Sequence, residues 1–190
     1  EAVRRAAARW SLPGPYVLFV GTVEPRKNVD TLLDAWSGVA RELRAQYDLV
    51  VAGPAGWADA RTHVRLRGGE AGVRYLGYVD EADLPGLTGG AAAFVYPSLY
   101  EGFGLPVAQA MAAGVPVITS NVSSMPEVAG GAALLVDPHS ASELTAAIGR
   151  LLGDAQLRAE LASRGLDRSR RFRWEESARQ SLNFFRKVCG

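Results

Sequence analysis

Hydrophobic residues in this chain fall into short apolar runs that alternate with longer stretches of helical spacing. Six runs have the length of a strand: Tyr16–Val20, Asp48–Ala52 and residues 73–76, 92–96, 115–119 and 132–136. They lack the alternation of a half-exposed strand, since residues 17–20 and 49–52 are apolar at every position. Strands that are apolar on both faces are typical of a parallel sheet covered by helices on each side.

The segments between these runs carry apolar residues at helical spacing. Residues 29–43 place Leu32, Leu33 and Trp36 on one stripe, and Asp80 begins a short helix with acidic residues near its positive end. The further helices predicted are those at residues 107–113, from Ser140 or Ser142 to Leu152, after Asp154 and at residues 174–188. Alternating strands and helices predict an α/β fold with a doubly wound parallel sheet of Rossmann type and extra C-terminal helices.

Length, charge and composition limit the possible functions. A chain of 190 residues with a net charge of +1 suits one domain and gives no reason to expect a nucleic-acid partner. The arginine-rich segment 168–173 is interpreted as a solvated helix end. Cys189 is the only cysteine and His63 and His139 are the only histidines, so we expect no disulfide and no metal site. With no transmembrane run and no signal peptide after Glu1, we expect a cytoplasmic protein.

The loop after the first predicted strand has residues that suit a phosphate. Between Gly21 and Asn28 it contains Arg26 and Lys27, which lie where a helix capped by Asn28 or Asp30 begins. Gly21 allows close approach to the backbone, and two cations beside a helix N-terminus favour an anion. The chain contains no G-x-G-x-x-G pattern, which disfavours NAD.

The loop after the fourth predicted strand, residues 97–106, is rich in glycine and ends in a helix. Gly102 and Gly104 permit tight turns, and a diphosphate placed there would meet free amides and the positive end of the helix dipole. The amides expected to face it are those of Phe103, Gly104 and Leu105. Glu101 is unsuited to phosphate, but its carboxylate can accept hydrogen bonds from sugar hydroxyl groups.

A third polar loop, residues 120–127, precedes a short helical turn. Two interpretations of Glu127 stay open, since its carboxylate either caps this turn or contacts a ligand. The loop therefore adds a candidate to the same edge of the sheet.

Together these motifs resemble the C-terminal, donor-binding half of retaining glycosyltransferases of family 4, the group 1 transferases of GT-B architecture. The matching segments cover nearly the whole chain in the same order, and they are residues 19–28, 73–79, 96–106, 113–118 and 126–138. The resemblance implies that residues 1–190 form a single donor domain and that the N-terminal acceptor domain is absent from this chain. It also implies that a helix at 172–188 crosses back to that domain, through which peripheral membrane contact is possible.

The resemblance further implies roles for individual residues. Lys27 and Glu101 would be the catalytic residues, with Lys27 and Arg26 on the diphosphate and Glu101 on the transferred sugar. The backbone at Tyr78 and Val79 would contact the base. The other implied donor-binding positions are Gly21, Gly102, Phe103, Gly104, Leu105 and Gln109. The implied reaction transfers a hexosyl group with retention from GDP-mannose or a UDP-sugar, mannosyl being favoured, without cofactor or metal.

Two positions depart from the family pattern. Gln109 stands where the family has the second acid of its Glu-x7-Glu element, and Thr22 stands where many relatives have an arginine. An amide still accepts a ribose hydroxyl but loses the strength of a charged acceptor. The departure at Gln109 gives weight to one alternative, a non-catalytic nucleotide-sugar-binding or regulatory module. A nucleotide-sugar epimerase of the same architecture is a further alternative. In isolation the chain is expected to bind nucleotide and to transfer little or no sugar.

Overall fold

The computed structural model describes residues 1–189, which form a six-stranded parallel sheet. Its strands are β1 Tyr16–Val20, β2 Asp48–Ala52, β3 Val73–Gly77, β4 Ala93–Tyr96, β5 Val117–Ser120 and β6 Ala133–Val136. All six predicted strands are confirmed, with bounds that differ by at most two residues. The apolar runs identify the strands correctly because a strand buried on both faces has few polar residues.

The order of the strands in the sheet is β3-β2-β1-β4-β5-β6. The chain winds outward from β1 to β3 and then crosses back to β4, so the point of reversal lies between the neighbouring strands β1 and β4. This confirms the doubly wound fold, in which ligands bind at the carboxyl edge where the winding reverses. The helices are α1 Ala2–Arg9, α2 Val29–Gly38, α3 Arg41–Arg44, α4 Ala60–Arg67, α5 Leu84–Gly89, α6 Leu105–Ala112, α7 Met125–Ala129, α8 Ala141–Gly153, α9 Ala155–Ser169 and α10 Trp174–Cys189.

The core lies between the sheet and the helices packed on it. Five apolar side chains of β1 and α2 are at most 1% exposed: Val17, Leu18, Phe19, Leu32 and Trp36. Burying side chains of this size stabilises the fold by about 1.5–3 kcal/mol each. The central strands, and with them the loops that follow, are therefore held firmly.

The predicted helix over residues 29–43 is wrong in its length. Helix α2 ends at Gly38, and Val39 is extended before the short helix α3 begins. A Cβ atom at Gly38 would lie 3.0 Å from Oγ1 of Thr145, so this glycine allows α8 to pack closely against the end of α2. Close packing and the low helix propensity of glycine end the helix here.

Two other helices differ from the sequence prediction. The segment from Asp80 begins as a turn, with the carbonyl of Asp80 accepting from the amide of Asp83, and α5 starts only at Leu84. Helix α4 was not predicted, because Thr62 and Leu66 are its only buried residues and its other large apolar side chain, Val64, is exposed. A helix with so narrow a buried face gives little periodic signal.

Helix α10 lies at the end of the described chain and is solvent-exposed along its length. It has no buried residue, and its exposed large apolar side chains are Trp174, Leu182, Phe184, Phe185 and Val188. The predicted helix at 174–188 is confirmed, whereas its crossing to a second domain stays a prediction. In the part of the chain that the structure describes, no helix has both the length and the apolarity needed to cross a membrane.

Candidate functional site

The loops after β1 and β4 meet at the carboxyl edge of the sheet. The two strands are parallel neighbours, with Val17 opposite Ala93. Their loops bring Nζ of Lys27 to 2.5 Å from Oε1 of Glu101, and only 7% of Lys27 is exposed. The two residues predicted to be catalytic are therefore brought into direct contact, although their roles stay predictions.

The Glu101 carboxylate is the centre of a charged cluster. Its Oε1 accepts hydrogen bonds from Lys27 Nζ, from Arg26 Nη1 at 2.9 Å and from the Tyr96 hydroxyl at 3.0 Å. Arg26 also pairs with Glu24 at 2.6 Å. Burial raises the pKa of the Glu101 carboxyl. The hydrogen bond and charge of Lys27, together with the Tyr96 hydroxyl, lower it by more, so the pKa lies below its ordinary value of 4.5. Glu101 is therefore ionised at neutral pH.

A tight turn fixes the position of Lys27. Residues Pro25–Lys27 form one turn of 3-10 helix, followed by Asn28 in the left-handed region at φ 60°. Asn28 is the N-cap residue of α2, in agreement with one of the two cap predictions, but its side chain makes no capping hydrogen bond. It donates instead to the carbonyls of Pro97 at 3.0 Å and Pro138 at 2.7 Å. Asn28 thereby ties the loops after β1, β4 and β6 together.

The polar loop after β5 positions Glu101 through its backbone. The hydroxyl of Ser123 donates to the Glu101 carbonyl at 2.6 Å and accepts from the Glu101 amide at 3.1 Å. Ser124 donates to the carbonyls of Glu101 and Phe103. The exposed side chain of Glu127 lies in the first turn of α7 and makes no side-chain hydrogen bond or ion pair within residues 1–189, whereas the two serines support the acidic loop.

The start of α6 offers free backbone donors beside this cluster. Gly104 is its N-cap residue at φ 97°, a conformation that favours glycine, and a Cβ atom there would displace the Met125 methyl group. Within residues 1–189 the amides of Phe103, Gly104 and Leu105 meet no hydrogen-bond acceptor. Unpaired donors at the positive end of an eight-residue helix, next to a lysine and an arginine, suit a phosphate-like anion.

The remaining predicted residues lie around this centre rather than in it. Gly21 follows β1, and an added Cβ atom would make ordinary contacts with Phe19 and, at 3.7 Å, with Cε of Lys27. Tyr78 and Val79 follow the edge strand β3, two strands away from β1, with Tyr78 exposed and Val79 buried. Gln109 is exposed on α6 and makes no side-chain hydrogen bond within the described chain. Gly102 is exposed between Glu101 and the amide donors.

Tyr96 and the two loop serines are site residues that the sequence reasoning missed. Tyr96 ends a fully apolar run, so its pattern indicates a core position. Its location could have indicated a site residue, because Tyr96 is the last residue of the strand whose following loop carries Glu101. Elsewhere, no group of three His, Cys, Asp or Glu side chains among residues 1–189 is placed to hold a metal ion.

Known proteins match this chain over most of its length. The family model for glycosyl transferases group 1 matches residues 4–168. O-antigen chain mannosyltransferase B of Escherichia coli is 44% identical over 173 residues, which cover 90% of this chain and 45% of that protein. The chain thus spans less than half the length of this relative.

Solved structures agree with the fold. A sucrose-phosphate synthase from Thermosynechococcus elongatus has a TM-score of 0.82 at 31% identity, covering 97% of this chain and 48% of that chain. The Anabaena protein HepE, solved in complex with UDP-glucose, has a TM-score of 0.85 at 21% identity over 98% of this chain and 52% of that chain, a likeness of fold. Since the family model covers most of the chain and the sheet has the matching topology, the chain belongs to the glycosyl transferases group 1 family.

Proposed function

We propose that this chain is the donor-binding half of a larger retaining glycosyltransferase. It binds a nucleotide-diphosphate sugar and contributes to the transfer of a hexosyl group, mannosyl as the first candidate, to an acceptor held by an N-terminal half. The observation that carries this proposal is the 2.5 Å contact between Lys27 Nζ and Glu101 Oε1 beside the unpaired amides of residues 103–105.

The chemistry of the cluster suits both parts of such a donor. The cations of Lys27 and Arg26 and the N-terminus of α6 face an anion, and they stabilise the negative charge that develops on the leaving diphosphate. In the described chain, Oε2 of Glu101 accepts no hydrogen bond, and we assign this oxygen of the largely buried carboxylate to a sugar hydroxyl. The sugar of such a donor is attached to the distal phosphate. Since Glu101 is assigned to the sugar and Lys27 contacts Glu101, we assign Lys27 to that distal phosphate.

The relatives and helix α10 support the larger enzyme. A mannosyltransferase at 44% identity is more than twice as long as its matched part, which favours a second half beside this one. The apolar side chains that α10 exposes, among them Trp174 and Phe184, fit a helix that packs on that half. For the base, the proposed contact is the backbone at Tyr78 and Val79.

A second candidate function is a nucleotide-sugar-binding module without catalysis. Gln109 favours it, because an exposed amide replaces the charged acceptor that the family pattern places on this helix. Such a module would bind donor and stay inactive even when an acceptor half is supplied.

Calorimetric titration of the 190-residue chain with GDP, UDP, GDP-mannose and UDP-glucose tests the donor site. We expect one nucleotide series to bind and Lys27→Ala to weaken that binding by at least roughly 10-fold, the effect of one lost charge-assisted hydrogen bond. Lys187→Ala is the matched control, since it removes the only other lysine, which is exposed on α10. Absence of binding by all four compounds would overturn the proposal.

Turnover distinguishes the two candidates. The chain is joined to an N-terminal half, and the anomeric configuration of the product from the bound donor is determined by NMR. Product with the donor's configuration is expected for the retaining transferase. Donor binding without any product would favour the non-catalytic module.

A further inference from the structure

Tyr96 is a buried aromatic residue at the end of β4 whose hydroxyl group contacts the charged cluster. It is the last residue of β4 and is 0% exposed. Its ring stacks on Phe19, at 5.8 Å between centroids, and on Phe94, at 6.0 Å, both with an interplanar angle of 22°. A fully buried ring packed against two other rings has little freedom, so its hydroxyl group has a fixed position.

That hydroxyl contacts both members of the central pair. It accepts a hydrogen bond from Lys27 Nζ and donates one to Glu101 Oε1 at 3.0 Å. Burial, followed by the charge and hydrogen bond of Glu101, raises the pKa of the Tyr96 phenol, which therefore stays protonated and able to donate. Tyr96 is thus a neutral bridge between a cation and an anion.

We propose that Tyr96 is a positioning residue of the donor site, one that sets the directions in which Lys27 and Glu101 face the ligand. The inference rests on the proposed function. An ammonium group has three donors, and two of those of Lys27 are used by Tyr96 and Glu101, which leaves one for the distal phosphate. Glu101 Oε1 has its full set of donors, which leaves Oε2 for the sugar.

Tyr16 provides a comparison within the same sheet. It lies on the neighbouring strand β1, is 4% exposed, and donates its hydroxyl hydrogen bond to the Leu87 carbonyl at 2.6 Å. Burial raises the pKa of its phenol to about 12. Both tyrosines therefore have a buried, hydrogen-bonded hydroxyl, but only that of Tyr96 contacts charged groups of the site.

The experiment compares Tyr96→Phe with Tyr16→Phe in the 190-residue chain. Each variant is titrated with whichever of GDP or UDP the wild type binds more tightly, and with the matching monophosphate. We expect Tyr96→Phe to weaken diphosphate binding roughly 10-fold, because a misdirected ammonium forfeits a charge-assisted hydrogen bond. Monophosphate binding should change less than about 2-fold, and Tyr16→Phe should leave both affinities unchanged.

A double-mutant cycle with Lys27→Ala separates positioning from general structure. If Tyr96 acts through Lys27, Tyr96→Phe has no further effect on diphosphate affinity in the Lys27→Ala background. Equal weakening of mono- and diphosphate binding, or an undiminished effect in that background, would overturn the inference. So would wild-type diphosphate affinity in Tyr96→Phe, with the proposed function left intact. A wild-type chain that binds neither diphosphate would instead overturn the proposed function.

Discussion

The ammonium of Lys27 lies 2.5 Å from Oε1 of Glu101, although 74 positions separate the two residues in the chain. The contact exists because parallel neighbours β1 and β4 end at the same edge of the sheet. Two further charges, Glu24 and Arg26, complete a cluster in which positive and negative charges balance. The loss of one cation therefore leaves a net negative site facing the donor.

The first prediction concerns turnover by the complete enzyme. Lys27→Ala removes a donor to the diphosphate and leaves two carboxylates against one guanidinium, so we expect turnover to fall by at least ~10²-fold. Glu101→Ala should have an effect of the same size, because it removes the sugar contact. Initial rates with the donor that the chain binds measure both effects. Arg164→Ala, which removes a cation from an exposed position on α9, should retain wild-type rates, and rates near wild type in either site variant would contradict these roles.

The second prediction concerns acid stability. The folded protein lowers the pKa of Glu101 below 4.5, so its ionised form stabilises the fold above that pH. This contribution is lost as the pH falls through the lowered pKa. We expect the difference in Tm between wild type and Glu101→Gln to be largest near pH 7 and to shrink as the pH falls below 4.5. A difference that stays constant over this range, measured by circular dichroism, would show that the ion pair gives no net stability.

The strands and the central pair could be predicted from the sequence because each has a local signal. A strand buried on both faces appears as an apolar run, and a loop that follows such a run lies at the edge where ligands bind. Lys27 and Glu101 are both charged residues in glycine-containing loops of this kind. Their proximity follows from topology without knowledge of any side-chain contact.

The supporting residues could not be predicted in the same way. The Tyr96 hydroxyl and the Ser123 hydroxyl act on residues in other loops, and their contacts depend on how far each loop folds back over the sheet. Asn28 shows the same limit, because a residue typical of a helix cap bonds instead to two distant carbonyls. Local patterns identify the element on which a residue lies but not its distant partner.

The third prediction concerns the close approach of Gly53, which follows β2, to Gly21, which follows β1. Gly53 lies at φ 145°, where an added Cβ atom would be 2.0 Å from the carbonyl oxygen of Gly21. Gly53→Ala should therefore lower the free energy of unfolding by at least about 2 kcal/mol. Gly149→Ala in α8 is the control, since nothing lies within 4 Å and alanine should raise the free energy by about 1 kcal/mol. Urea unfolding measures both changes, and equal values would contradict the close approach of the two loops.

The fourth prediction concerns the departure at Gln109. If ribose hydroxyl groups lie against this exposed side chain of α6, Gln109→Glu supplies a charged acceptor in place of an amide. A gain of about 1 kcal/mol, the usual difference between the two kinds of hydrogen bond, corresponds to roughly 5-fold tighter nucleotide binding in calorimetry. Gln156→Glu adds the same charge at an exposed position of α9 and should leave the affinity unchanged. Equal affinity in wild type and Gln109→Glu would mean that the ribose does not contact this position, and that the nucleotide is held by the diphosphate and the base alone.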